Sequence, residues 1–214
     1  MHTIDIKINL DQISDLIDAG GPVVIILITM SIIGLAALLL KSWQFYNLKI
    51  NKKDFIPAAI DSWSKNDKQA AQAILGQSKN PIARVLETAI HVCHKDKDLA
   101  VAREEVLRVA TIQLANLRSH LRILEVIATL SPLLGLFGTV LGMIEAFHRL
   151  ETAGTSVDPA LLSGGIWEAL LTTAAGLAVA IPAIIALNWL EQRIENFKLT
   201  MEDAMTQIFT RKVT

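Results

Sequence analysis

Three long stretches of this chain consist almost entirely of apolar side chains, and polar segments separate them. The first stretch runs from Pro22 to Leu40, the second from Val126 to Ile144, and the third from Ala169 to Leu190. About 20 apolar residues in an α-helix cover the ~30 Å hydrocarbon core of a bilayer. The pattern therefore predicts three membrane-spanning helices.

The polar region between the first two spans lacks strand-like alternation, and its apolar positions repeat at helical spacing. It predicts short helices at Asp54–Trp63, Asp67–Leu75 and Pro81–His94, separated by turn residues. From Asp98, a candidate N-cap, apolar positions continue into the second span without Gly or Pro, so we expect one unbroken helix as far as His148. The sequence thus predicts an all-α integral membrane protein with long helices that project beyond the bilayer.

The segment before the first span is acidic and ends in a helix-breaking signal. Leu10, Ile13 and Ile17 recur at helical spacing among aspartates, and Gly20-Gly21-Pro22 follows them. This pattern predicts a short helix that lies on the outer membrane face, with a disordered tail as the alternative. A cleaved signal peptide is not expected, because such a peptide begins with basic residues.

Basic residues indicate the orientation of the spans, because short flanks rich in Lys and Arg stay in the cytoplasm. Lys41, Lys49, Lys52 and Lys53 follow the first span, whereas the segment before it carries only Lys7. We expect the N-terminus outside and the C-terminus inside. The predicted parts are an outer, periplasmic segment at 1–21, transmembrane helices at 22–40, 121–148 and 166–190, a cytoplasmic helical domain at 41–120, a periplasmic loop at 149–165 and a cytoplasmic C-terminal helix at 191–214.

The composition limits the possible classes of function. Hydrophobic residues make up 52% of the 214 residues, the mean hydropathy is +0.43 and the net charge is −1, which favours a membrane protein and gives no reason to expect a nucleic-acid partner. The single cysteine, Cys93, excludes an internal disulfide. His91 and His94 share a helix face but lack a carboxylate partner, so we expect no metal and no cofactor. Without a phosphate-binding loop, nucleophile elbow or HExxH motif, we do not expect an enzyme.

Small residues form one face of the second predicted span. In lipid, helix association depends on close packing, so such a face indicates a helix contact. Pro132, on the same helix, predicts a mild kink. Thr139 lies beside the face, and its hydroxyl could line an ion path or could bond back to its own helix. The small residues are Ser131, Gly135, Gly138 and Gly142, at i, i+4, i+7 and i+11.

Glu168 is the acidic residue that opens the third apolar run. Ionisable groups at membrane depth usually face a cavity, a partner or an ion route, although a glutamate at the end of a span can also reach the headgroups. Helical spacing puts Thr172 on the same face as Glu168, whereas Thr173 lies roughly 140° round the helix. We therefore expect a short polar patch on this helix.

Three consecutive motifs resemble the MotA/TolQ/ExbB proton-channel family, and within it the three-span ExbB/TolQ branch. They are SPLLGLFGTVLGMIEAF at 131–147, DPALLSGGIWEALLTTAAGL at 158–177 and AVAIPAIIALN at 178–188. By this resemblance, Glu168 occupies the acidic position of the family, and Thr139 and Thr173 occupy its threonine positions. Thr172 is a local variation, included here in the expected ion pathway.

The resemblance also implies an assembly and a function. Five such subunits would form a ring in the bacterial inner membrane around a dimer of a single-span ExbD- or TolR-like protein, whose helix carries an intramembrane aspartate. Ion flow would drive work on a periplasmic effector such as TonB, in outer-membrane import, or TolA, in envelope maintenance and division. The alternative, from another class of function, is a passive membrane scaffold. The choice between proton and sodium, and the role of the tail, stay open.

Overall fold

The computed structural model describes residues 10–94, 98–152 and 159–211, and every regular element in these residues is an α-helix. No strand occurs in the described ranges, so the all-α prediction is confirmed. The three short helices expected between the first two spans are also confirmed, each within one residue of the predicted ends. In chain order the helices are α1 (Leu10–Asn47), α2 (Phe55–Ser64), α3 (Lys68–Gly76), α4 (Pro81–His94), α5 (Leu99–Arg118), α6 (Leu121–Thr152) and α7 (Pro159–Thr210).

Three of these helices are long and apolar enough to cross a membrane. The spanning parts are Gly20–Asn47 in α1, Leu121–Thr152 in α6 and Leu162–Thr210 in α7. Each exposes large apolar side chains: Ile32, Ile144 and Ile185 are 64%, 60% and 64% exposed. Side chains of this kind suit a lipid surface. The prediction of a three-span membrane protein is confirmed.

The break predicted between the N-terminal helix and the first span is confirmed at Gly21. This residue has φ 57° and ψ −155°, inside a helix that otherwise runs from Leu10 to Asn47. Glycine adopts positive φ without a Cβ clash, and Pro22, which lacks an N–H, can begin the following helix. The position of the short helix on the outer membrane face stays a prediction.

The prediction of one continuous helix from Asp98 to His148 is wrong. Asp98 does cap α5, since its Oδ1 accepts a hydrogen bond from the Ala100 amide at 3.1 Å. However, α5 ends at Arg118, and His120 adopts a left-handed φ of 67° before α6 begins. This conformation costs roughly 1–2 kcal/mol for a residue with a Cβ. No Gly or Pro marks the break, which is why the sequence pattern missed it.

The third span and the C-terminal segment form one helix, and the membrane boundary predicted between them stays a prediction. Helix α7 runs without interruption from Pro159 to Thr210, through the predicted junction at 190–191 and through Pro182. Helix α6 continues to Thr152, so the loop predicted at 149–165 is too long at both ends. Gly164 and Gly165 suggested loop, but both are helical here. Helix α6 also passes through Pro132, and the kink there stays a prediction.

The chain divides into two compact units. The first contains residues 1–38 and 121–187, and the second contains residues 39–120 and 188–214. In the first unit, Ile127 and Ala128 of α6 pack with Ala183 of α7, and Met30 of α1 and Val179 of α7 cover them. All five side chains are uncharged and lack hydrogen-bonding groups, so van der Waals packing holds these helices together.

The C-terminal part of α7 lies in the core of the second unit. Its Leu190, Phe197, Met201 and Ile208 are at most 1% exposed. The indole Nε1 of Trp63, on α2, donates a hydrogen bond to the Ile208 carbonyl at 3.1 Å. The tail whose role the sequence left open therefore packs against helices of its own chain.

Candidate functional site

Helices α6 and α7 approach each other closely along a line of small residues within the first unit. A Cβ added at Gly138 would lie 2.6 Å from the Thr172 Cβ, and one added at Gly135 would lie 2.9 Å from the Thr172 carbonyl oxygen and 3.1 Å from the Thr173 Cα. These distances are shorter than any ordinary carbon contact. The two backbones can meet there only because neither glycine has a side chain.

The same contact extends above and below these glycines. A Cβ at Gly142 would lie 3.2 Å from the Ala169 Cβ, and one at Gly176 would lie 2.6 Å from the Ser131 carbonyl. Ser131 is fully buried and its hydroxyl donates to the Ile127 carbonyl at 2.7 Å. We call this contact the α6–α7 seam. The face of small residues predicted on the second span lies in this seam, and the helix that packs against it is α7 of the same chain.

The sequence interpretation missed the α7 side of this seam. The residues there are spaced at i, i+4, i+7 and i+11, which is the spacing already noticed on α6, and this repeat was the available signal. The added Cβ of Gly165 would contact Ala146 on α6, at the end of the seam nearest the start of α7. The α7 members are Gly165, Ala169, Thr172 and Gly176.

Two threonines of α7 reach the same carbonyl of α6. The Thr172 hydroxyl lies 2.7 Å from the Ala169 carbonyl and 3.3 Å from the Gly135 carbonyl, and the Thr173 hydroxyl lies 3.2 Å from the Gly135 carbonyl. Thr172 is 4% exposed and contacts Gly138, so within this chain it is a packing residue. Thr173 is half-buried at the edge of the seam, where water or a partner could reach it.

Thr139 lies one turn from Gly135 on α6 and is half-buried. Its hydroxyl donates to the Leu136 carbonyl at 2.6 Å, which is the intrahelical bond weighed as the alternative to an ion-path role. The side chain also lines a shallow groove on the face of α6 with Val140, Met143 and Phe147. A hydroxyl bonded to its own helix still keeps lone pairs that can accept from water.

Glu168 lies on α7 immediately before Ala169, one turn from Thr172. Its side chain is half-exposed and makes no hydrogen bond or ion pair with any residue that the structure describes. The neighbouring Trp167 is 66% exposed, as is common where a helix meets the membrane interface. Glu168 therefore stands near the start of the third span, and its carboxyl bonds to no group in the part of the chain that the structure describes.

No group of three or more His, Cys, Asp or Glu side chains in the described residues could hold a metal ion. Cys93 on α4 is buried at 4% exposure, and His91 is exposed. The predicted site residues thus offer the carboxyl of Glu168 and the hydroxyls of Thr139, Thr172 and Thr173, which can exchange or orient protons and water.

Comparison with known proteins agrees with the motifs. Residues 77–203 match the MotA/TolQ/ExbB proton channel family. An ExbB homolog for biopolymer transport from Methanothermobacter thermautotrophicus is 28% identical over 179 residues, which is 83% of this chain and 62% of that protein. The biopolymer transport protein exbB1 of Vibrio cholerae is 32% identical over 67% of this chain and 63% of its own length.

A relative from the Tol system is also similar. The Tol-Pal system protein TolQ of Pseudomonas aeruginosa is 37% identical over 118 residues, which is 54% of this chain and 47% of that protein. This chain spans less than two thirds of the length of each of the three relatives compared here. Since the family match covers more than half of the 214 residues and its relatives are ExbB and TolQ proteins, the chain belongs to the ExbB/TolQ branch of the MotA/TolQ/ExbB proton channel family.

Proposed function

We propose that this chain is the ring subunit of a proton-driven complex in the bacterial inner membrane, which converts ion motive force into work on a periplasmic effector. The observation that carries the proposal is Glu168, a carboxyl near the end of a spanning helix whose side chain bonds to no described residue of its own chain. Unpaired acids at membrane depth mark ion routes more often than structural positions. Membership of the proton channel family supports the same reading.

In this proposal Glu168 carries a proton in its neutral form and releases it as a carboxylate. The hydroxyls of Thr139 and Thr173 donate to carbonyls of α6 and keep acceptor lone pairs, with which they would orient water along the route. Each proton that crosses supplies about 2.3 kcal/mol per 100 mV of membrane potential. A few protons would therefore suffice for one conformational step.

The proposed assembly is a homopentamer around a dimer of a single-span ExbD- or TolR-like protein. No aspartate occurs within the three apolar stretches of this chain, and Glu145, at the edge of the second stretch, pairs with Arg149 at 2.9 Å. The proposed route therefore needs a second acid from another protein to accept the proton of Glu168. An intramembrane aspartate on the partner would provide it. The effector would be TonB-like, as in TonB-dependent outer-membrane import.

A TolQ-like role in envelope maintenance and division is the second candidate. It is supported by the 37% identity to TolQ of Pseudomonas aeruginosa over 118 residues. The two roles differ in the effector and share the proton route. Complementation of strains that lack either system would separate them.

The proposal predicts that proton flux requires both this chain and its single-span partner. Proteoliposomes that contain the purified complex should acidify under an imposed potential, whereas liposomes with either protein by itself should stay at background. Internal pH dyes measure this flux. If the complete complex shows no proton flux either with or without the effector, the proposal is wrong and the function is that of a passive scaffold.

The proposed orientation predicts the labelling of two introduced cysteines. Cys93 is a poor probe because it is buried. The exposed residues Glu87, on α4, and Glu151, near the end of α6, are better positions. A membrane-impermeant maleimide should label Glu151→Cys in intact cells and should label Glu87→Cys only after permeabilisation. Equal labelling of both in intact cells would refute the orientation.

A further inference from the structure

A cavity of about 360 Å³ lies within the second unit, between the end of α1, the start of α4 and the end of α5. This volume is in the range of ligand pockets, roughly 300–1,000 Å³. Most of the lining side chains are polar or basic, and no acidic side chain of the described residues lines the cavity. The polar lining includes Gln44, Lys79, Arg84, Gln113 and Asn116.

Four side chains that line the cavity have donor groups from which no described residue accepts. Two of them are the Lys79 ammonium and the Arg84 guanidinium, and the other two are the side-chain amides of Gln113 and Asn116. Glu87 follows Arg84 by three residues on α4, but the two side chains form no ion pair. Two positive charges beside two amide donors suit an anion with several acceptor oxygens, such as a phosphate.

Asn80 fixes the backbone next to both cations. Its side chain is fully buried: Nδ2 donates to the carbonyls of Lys49 and Lys52, both at 3.1 Å, and Oδ1 accepts from the Ile82 amide at 3.0 Å. These bonds tie the start of α4 to the turn that follows α1. The backbone that carries the two cations therefore needs no rearrangement when a ligand binds, which lowers the free-energy cost of binding.

Aromatic side chains of α1 place the cavity at the edge of the bilayer. The spanning part of α1 ends at Asn47, and Trp43 and Tyr46 near this end are 66% and 81% exposed. Exposed Trp and Tyr at the end of a span are typical of the membrane–water interface. Gln44 and Leu48, which line the cavity, are within two residues of these aromatic side chains along the chain. At this depth the nearby anions are the phosphates of lipid headgroups.

We propose that this cavity binds the phosphate of an anionic phospholipid headgroup. Lys79 and Arg84 pair with the phosphate oxygens, and the amides of Gln113 and Asn116 donate to the remaining acceptors. A zwitterionic lipid brings a positive group toward the same two cations and binds more weakly. A lipid held in this way contacts α1, α4 and α5 at once and ties all three helices to the membrane surface.

Lipid binding to the purified full-length chain in a neutral detergent tests the proposal. Native mass spectrometry during titration with phosphatidylglycerol or phosphatidylcholine gives the affinity per subunit. Phosphatidylglycerol should bind about tenfold more tightly, and Lys79→Gln combined with Arg84→Gln should remove this preference. The matched control, Lys52→Gln combined with Arg122→Gln, removes two exposed charges that do not line the cavity. It should keep the preference.

Competition with inorganic phosphate separates a lipid from a soluble ligand. Phosphatidylglycerol should stay bound when phosphate is in excess, and its displacement at equal concentration would overturn the lipid as the source of the anion. Equal affinity for the two lipids, or an equal loss in the cavity variant and the control, would overturn the site. If the cavity variant does not fold, Gln113→Glu replaces it, because it adds a negative charge to the lining at constant shape. It should weaken phosphatidylglycerol binding, and unchanged binding would overturn the proposal.

Discussion

Glu168→Gln is expected to abolish proton flux and effector-dependent work while the complex still assembles. Glutamine has the shape of glutamate but cannot take up and release a proton near neutral pH. Assembly should survive, because the Glu168 side chain bonds to no described residue of its own chain. Flux into proteoliposomes and growth that depends on the effector, at matched expression, measure the two effects. Flux should fall to the level of liposomes without the complex.

The matched control is Glu125→Gln, which removes an exposed acid at the start of the second apolar stretch, next to Val126. It should leave flux unchanged. Thr139→Val and Thr173→Val should reduce flux by about two- to tenfold, since one hydroxyl hydrogen bond is worth roughly 0.5–1.5 kcal/mol and water can partly replace it. Full flux in Glu168→Gln would reduce Glu168 to an interfacial anchor and leave the aspartate of the partner as the carrier.

Gly138→Leu is expected to prevent folding of the subunit and therefore its assembly. A Cβ at this position would lie 2.6 Å from the Thr172 Cβ, and leucine adds three more carbons. The clash falls on atoms close to the α7 backbone, so the helices must separate. Overpacking typically costs up to about 3 kcal/mol and exceeds the roughly 1 kcal/mol that leucine gains in helix propensity. Folded yield, thermal unfolding and native mass spectrometry measure the loss.

Gly164→Leu provides the matched control on α7. A Cβ at Gly164 meets nothing within 4 Å, so this substitution should preserve folding and the proposed pentamer. Gly138→Ala should give a smaller defect than Gly138→Leu, because its added carbon could be accommodated by small shifts. A stable, assembled Gly138→Leu protein would show that the α6–α7 seam can widen, and the packing argument would be withdrawn.

Features that depend on the same property along many consecutive residues were the easiest to predict from the sequence. Long apolar runs identified the three spans because lipid imposes one requirement along the whole helix. The cap at Asp98 and the break at Gly21 were predictable because each depends on chemistry within a few residues. Only the α6 side of the α6–α7 seam was predicted from the sequence. The small residues of one helix do not identify the helix that packs against them.

The features missed by the sequence depend on residues far apart in the chain. The Ser119 carbonyl, next to the break at His120, accepts a hydrogen bond from Lys41, which lies 78 residues earlier in the chain. The burial of Thr172 depends on Gly138 of another helix. Helix propensity and hydropathy describe neighbours in sequence, so neither measure contains these contacts. The position of Glu168 was predictable, whereas the absence of a bond between its side chain and any described residue needed the structure.

The division of the second unit between residues 39–120 and 188–214 has a consequence for biosynthesis. Its core includes Phe197, Met201 and Ile208, which leave the ribosome last. Helices α2 to α5 are therefore synthesised with part of their apolar surface uncovered. The C-terminal part of α7 reaches them only after α6 and the spanning part of α7 have been made. Exposed apolar surface of this kind binds chaperones and promotes aggregation. We expect the nascent chain to depend on a holding factor during this interval, and a chain that stops at residue 187 to be degraded.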